Sequence, residues 1–160
     1  MPCTTPAPVV VWKFRGAEGD VVLDSEATVA SDRAEHRPLA IVADDEAEVR
    51  RLVAEVLAEV GFETLSARDG LELVDLATRH RPGLIVADVM MPGMDGYTAV
   101  ARLRGQPETA TIPIIMLTGC TDPAYRQLSE GMGASAHVTK PFSPLLLGEL
   151  AQEMVRRSRA

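Results

Sequence analysis

Five side chains in this sequence are of types that can do chemistry together: Asp44, Asp45, Asp88, Thr118 and Lys140. Each closes, or directly follows, a short apolar run: "LAIVA" at 39–43, "LIVAD" at 84–88, "PIIML" at 113–117 and "AHVT" at 136–139. Three carboxylates brought to one place repel one another and raise each other's pKa unless cations sit among them. Ligands that are all oxygen point to a hard divalent ion, Mg²⁺, which keeps several waters and favours one or two carboxylates plus a phosphate oxygen. With such an ion and the Lys140 ammonium in place, an aspartate can act as a nucleophile toward phosphorus and form an acyl phosphate. The Thr118 hydroxyl and nearby backbone N–H groups would then serve the remaining phosphoryl oxygens. Taken one at a time, each residue has a plainer role. Asp44 or Asp45 could cap the helix that starts near Glu46, Thr118 could cap a turn, and Lys140 could be a solvated loop charge.

The elements that must bring these residues together can be read from the periodicity. From Leu39 onward five apolar runs, the four above and "ETLSA" at 63–67, alternate with helix-like segments. Residues 46–60 place apolar side chains at 49, 52, 53, 56, 57 and 60, a 3.6-residue period, and Gly61 follows as a stop signal. Further helices are expected over 71–79, 97–104, 123–132 and 144–157. Three of the strand runs are continuously apolar, as in a parallel sheet covered by helices on both faces. The expected fold is a doubly wound α/β domain with a five-stranded parallel sheet, which places chemistry outside the carboxyl ends of the strands. Residues 38–160 form this domain. Residues 1–37 read as an extension, either disordered or a small hairpin around "VVVWKFR".

Composition narrows the function classes. The 160 residues are 46% hydrophobic and 24% charged, suited to one core, and 16 basic against 23 acidic residues give a net charge of −7 without a basic stripe. Nucleic-acid binding by this chain is therefore not expected. Cys3 and Cys120 form no framework spacing and suit a reducing compartment. No apolar run reaches the ~18 residues of a membrane helix. A cytoplasmic protein with no membrane association is expected.

The segments "VADDE", "DVMMPGMDG", "MLTG" and "VTKPF", in that order, resemble the receiver domain of bacterial two-component response regulators. The spacings agree as well, 30 residues from Asp88 to Thr118 and 22 from Thr118 to Lys140. The resemblance covers about three-quarters of the chain, from about Leu39 onward. It implies the flavodoxin-like receiver fold, with Asp88 as phosphoacceptor, Asp44 and Asp45 as holders of Mg²⁺, and the backbone carbonyl of Met90 as a further ligand. It also implies a cis peptide bond between Lys140 and Pro141. In "DVMMPGMDG", Pro92 and Gly93 turn the chain, Met94 plugs the adjacent core, Gly96 admits the backbone to the next helix, and Met91 is either loop filler or part of the site.

The same resemblance makes Thr118 and a ring in the fifth strand the switch. His137 stands at that ring position, where many members have tyrosine or phenylalanine. A half-exposed strand residue with no switching role is the plainer alternative. Met90 and Cys120 would border the path of the water that hydrolyses the phosphoryl group. The phosphoryl donor would be a histidine kinase or a histidine phosphotransfer protein. A downstream protein would be met through the face of the fourth helix, fifth strand and fifth helix, with Tyr125, Arg126 and Glu130 as candidate contacts.

The expected form is a stand-alone, receiver-only protein, monomeric or weakly dimeric, that assists its own phosphorylation and dephosphorylation but is otherwise no enzyme. Two alternatives are a receiver-like binding module read without phosphorylation, and an aspartyl-phosphate phosphatase. The intact acid set argues against the first. The second calls for an aspartate two residues past the nucleophile, where Met90 stands.

Overall fold

The computed structural model of the chain describes residues 10–11, 37–119, 127 and 133–159. The helix expected over 123–132, the residues Cys3, Cys120, Tyr125, Arg126 and Glu130, and most of the 1–37 extension lie outside the described residues. In chain order the elements are β1 (Val10–Val11), β2 (Leu39–Ala43), α1 (Ala47–Glu59), β3 (Glu63–Ala67), α2 (Gly70–His80), β4 (Leu84–Asp88), α3 (Gly96–Arg104), β5 (Ile114–Thr118), β6 (Ala136–Thr139) and α4 (Pro144–Arg159).

These strands form one sheet in the order β1-β6-β5-β4-β2-β3. The five expected strands are all parallel. Among the described residues the sheet nevertheless has six strands, because β1 adds an antiparallel edge, with Val10 opposite Val138 and Val11 opposite His137. Two residues of the extension thus belong to the sheet; the hairpin or disorder expected for the rest falls outside the described residues. The fourth predicted strand is displaced by one residue. Pro113 has no N–H to give to the ladder, so β5 begins at Ile114 and takes in Thr118.

The alternation of side chains across the sheet explains why helices lie on both faces. Ala40, Val42, Val86, Ile115 and Leu117 point to the side packed by α1 and α4. Ile41, Ala43, Ile85, Ala87 and Met116 point to the side packed by α2 and α3. Central strand β4 is buried along its whole length, including Asp88 at its end. A carboxylate closing a fully buried strand is what a parallel sheet produces when its carboxyl edge is a site.

Local signals set the helix ends. Asp69 accepts a hydrogen bond from the Glu72 amide at 2.8 Å and starts α2, and Asp95 does the same for Thr98 at 2.7 Å at the start of α3. After α1, Gly61 takes a φ of +98°, the left-handed conformation its lack of a Cβ allows. Among the described residues, no helix is long and apolar enough to cross a membrane.

Candidate functional site

Because β2, β4, β5 and β6 run parallel, the residues at their ends share one edge of the sheet. Asp44 follows β2, Asp88 ends β4, Thr118 ends β5 and Lys140 follows β6. The carboxylates of Asp44, Asp45 and Asp88 each offer an oxygen, and these oxygens all lie within 4.8 Å of one another. The Lys140 Nζ stands 3.0 Å from Asp44 Oδ2 and 3.4 Å from Asp88 Oδ1. Asp44 and Asp88 are buried, whereas Asp45 is exposed.

The backbone holds this arrangement. The Asp44 amide donates to the Ala67 carbonyl at 3.1 Å, carrying the sheet ladder one residue past β2. Asp44 Oδ1 accepts the Glu46 amide at 2.9 Å while its Oδ2 meets Lys140, so one carboxylate both fixes the loop that leads into α1 and serves the site. The Arg50 guanidinium, reaching back from α1, donates to the Asp44 carbonyl at 2.6 Å. Residue spacing offered no sign of this clamp, since an arginine on an amphipathic helix usually reads as a solvated charge. On the far side, the Lys140 amide donates to the Thr118 carbonyl at 2.7 Å, and the Lys140–Pro141 bond is cis.

The loop after β4 is seated by small residues. The Val89 amide donates to the Leu117 carbonyl at 3.0 Å, and the Gly96 amide donates to the Val89 carbonyl at 2.9 Å. A Cβ on Gly96 would overlap the Asp88 carbonyl oxygen and come within 2.8 Å of the Met116 side chain, so no larger residue fits here without moving the loop. Gly93 turns the loop at a φ of +76°. Met91 is buried in the core on the α2 and α3 side and Met94 packs against that core, so both are part of the packing. Met90 is 72% exposed, and its amide is hydrogen-bonded to the Asp88 carboxylate.

Burial dominates the electrostatics of Asp88. It pushes the carboxyl up from 3.8 to about 6, opposed by the Lys140 charge and reinforced by the Asp44 charge. Burial pulls the Lys140 ammonium down, but the charges of Asp88 and Asp44 outweigh it and hold the lysine above its ordinary value. Three carboxylates against one ammonium leave two negative charges. A divalent cation would balance them, and the exposed Asp45 leaves room for the waters that a hard ion retains. The donor set therefore fits Mg²⁺.

His137 is buried, at 4% exposure, which rules out the half-exposed alternative. It lies opposite Met116 in β5, and Thr118 lies opposite Thr139. Side-chain alternation puts Thr118, Met116 and His137 on one face of the sheet, with Thr118 diagonal to His137 on the neighbouring strand.

Residues 40–152 match the family model "Response regulator receiver domain". A chemotaxis response regulator of Vibrio cholerae, CheY4, superposes with a TM-score of 0.71 at 33% identity, over 74% of this chain and 99% of that one. Among curated relatives, "Probable transcriptional regulator ycf27" of Porphyridium aerugineum is 38% identical over 117 residues, 73% of this chain and 48% of that protein. "Response regulator PleD" of Caulobacter vibrioides is 37% identical over 116 residues, 72% of this chain and 25% of that protein. The chain thus spans at most about half the length of these curated relatives. It belongs to the response regulator receiver family.

Proposed function

We propose that this receiver is phosphorylated on Asp88 with Mg²⁺ bound, and that the acyl phosphate switches a protein-binding surface. The observation that carries the reading is the ion pair of Lys140 with Asp88 at 3.4 Å inside a cluster of three carboxylates. In transfer from a phosphohistidine, an Asp88 carboxylate oxygen forms a bond to phosphorus as the phosphorus–nitrogen bond breaks. The imidazole nitrogen keeps the electron pair and takes up a proton. Lys140 holds one phosphoryl oxygen by charge, and the Thr118 hydroxyl with loop amides holds another. Asp44, Asp45, Asp88 and the Met90 carbonyl would hold a Mg²⁺ ion, which would supply neutralisation of the phosphoryl charge.

The donor is a histidine kinase or a histidine phosphotransfer protein. The excess of acidic over basic residues supports contact of this unit with proteins rather than nucleic acid. Thr118 and His137 carry the change to the surface around β6. The chain assists its own phosphorylation and dephosphorylation and turns over no separate substrate.

Incubating the protein with acetyl phosphate and following intact mass tests this reading. One added phosphoryl group is expected with Mg²⁺, with strong suppression by a chelator. Labelling undiminished by the chelator would contradict it.

A further inference from the structure

The outer edge of β6 carries a feature that the phosphoacceptor chemistry does not use. A last parallel strand presents unpaired N–H and C=O groups to whatever can pair with them. Here they meet β1, which lies opposite Val138 and His137. The amide of Lys140, just after β6, donates inward to the Thr118 carbonyl of β5 at 2.7 Å. The period of two along a strand then turns the amide of Val138 inward as well and that of His137 outward, toward Val11. His137 is therefore flanked on both sides, by Met116 of β5 and Val11 of β1. Among the described residues this ladder is two residues long, and a short edge ladder belongs to the low end of local stability, where a small bias decides whether it is closed or open.

We propose that the N-terminal strand β1 is a built-in occupant of the β6 edge, and that phosphorylation of Asp88 releases it, exposing that edge to a partner's strand. This rests on the phosphoacceptor reading. Its structural basis is continuity across the sheet. Asp88 lies opposite Leu117, Thr118 follows Leu117 and is diagonal to His137, and His137 lies opposite Val11. A shift of Thr118 toward a phosphoryl group alters the packing beside His137, whose backbone is shared with the β1 ladder. In the resting protein the extension competes with any partner that would add a strand at this edge.

Amide hydrogen exchange on the full chain tests the proposal, with beryllofluoride and Mg²⁺ as a stable stand-in for the phosphoryl group. Val11→Pro removes the amide that faces His137 and is expected to speed exchange at the His137 amide by about tenfold or more without any activation. Val11→Thr keeps the amide and the strand propensity and should leave that exchange unchanged. Adding beryllofluoride to the wild type should speed His137 exchange to the level of the proline variant, while the Met90 amide becomes protected. Protection at Met90 with no change at His137 would overturn the coupling and leave the phosphoacceptor reading standing. Absence of protection at Met90 would overturn both. Unaltered His137 exchange in Val11→Pro would show that β1 does not guard the edge.

Discussion

Lys140 reaches Asp88 across an intervening strand: its Nζ lies 3.4 Å from Oδ1, although β6 and β4 are separated by β5. The same ammonium is 3.0 Å from Asp44, so one side chain offsets two buried carboxylates. Removing it leaves those charges uncompensated. Lys140→Met is expected to destabilise the metal-free protein by about 3 kcal/mol. Mg²⁺ should then raise the melting temperature of the variant more than that of the wild type, because the cation becomes the main compensating charge. Thermal unfolding with and without chelator checks this, and equal Mg²⁺ shifts in the two proteins would count against the shared charge balance.

Asp88 makes stability and function oppose one another. Its folded pKa of about 6 lies above the ordinary 3.8, so its contribution is fully present below the unfolded value and is lost as pH rises through about 6. Above that pH, in the absence of metal, ionising the buried carboxyl costs on the order of 3 kcal/mol. Asp88→Asn should therefore melt higher than the wild type in chelator near about pH 7.5, with the gap closing toward about pH 4. A variant less stable than wild type at the higher pH would reverse the sign and contradict the dominance of burial at Asp88.

Gly96 is predicted to be intolerant of even one methyl group. Its added Cβ would meet the Asp88 carbonyl oxygen, Met116 and the Val89 backbone at once, and two of those three are main chain, which cannot swing aside. Gly96→Ala should cost about 2 kcal/mol or more and weaken phosphorylation by displacing the loop that carries Asp88. Gly119, where a Cβ would meet nothing within 4 Å, serves as the comparison. Similar melting temperatures for wild type and Gly96→Ala would refute the packing argument.

Met90 and Cys120 are predicted to lengthen the lifetime of the phosphorylated state. Methionine and cysteine hold a water only weakly, whereas an amide and an acid at these places would position it for in-line attack. Met90→Asn with Cys120→Glu should speed loss of phosphate by about tenfold, equivalent to ~1.4 kcal/mol of barrier. Met90 is 72% exposed, so its exchange should leave stability nearly unchanged. Decay of the purified phosphoprotein in excess Mg²⁺ without a kinase is the readout, and a double variant no faster than wild type would remove both residues from the hydrolysis path.

Much of the site was legible because its residues close apolar runs, and a parallel sheet aligns those closures along one edge. Asp44, Asp88, Thr118 and Lys140 needed no other information to be placed together. The Arg50 clamp on the Asp44 carbonyl was not legible, since it depends on how far a side chain folds back along α1. Nor was the pairing of Val10 with Val138, because local periodicity carries no information on contacts between distant segments. The burial of His137 was left open for a related reason. "AHVT" is too short to reveal which face is covered, and that cover comes from tertiary packing. Helix α2 begins at Gly70, one residue before the expected start. Asp69 is its cap, and a Cβ on Gly70 would crowd the Met94 backbone carbonyl and side chain, a requirement visible only in three dimensions.

The most direct test of the phosphoacceptor assignment is chemical mapping of the labelled residue. Borohydride reduces an aspartyl phosphate to homoserine, and peptide mass spectrometry then locates the altered position. After phosphorylation with acetyl phosphate and Mg²⁺, homoserine is predicted at position 88 alone, and Asp88→Asn should yield none. Homoserine at 44 or 45, or undiminished labelling of Asp88→Asn, would contradict the account at its centre.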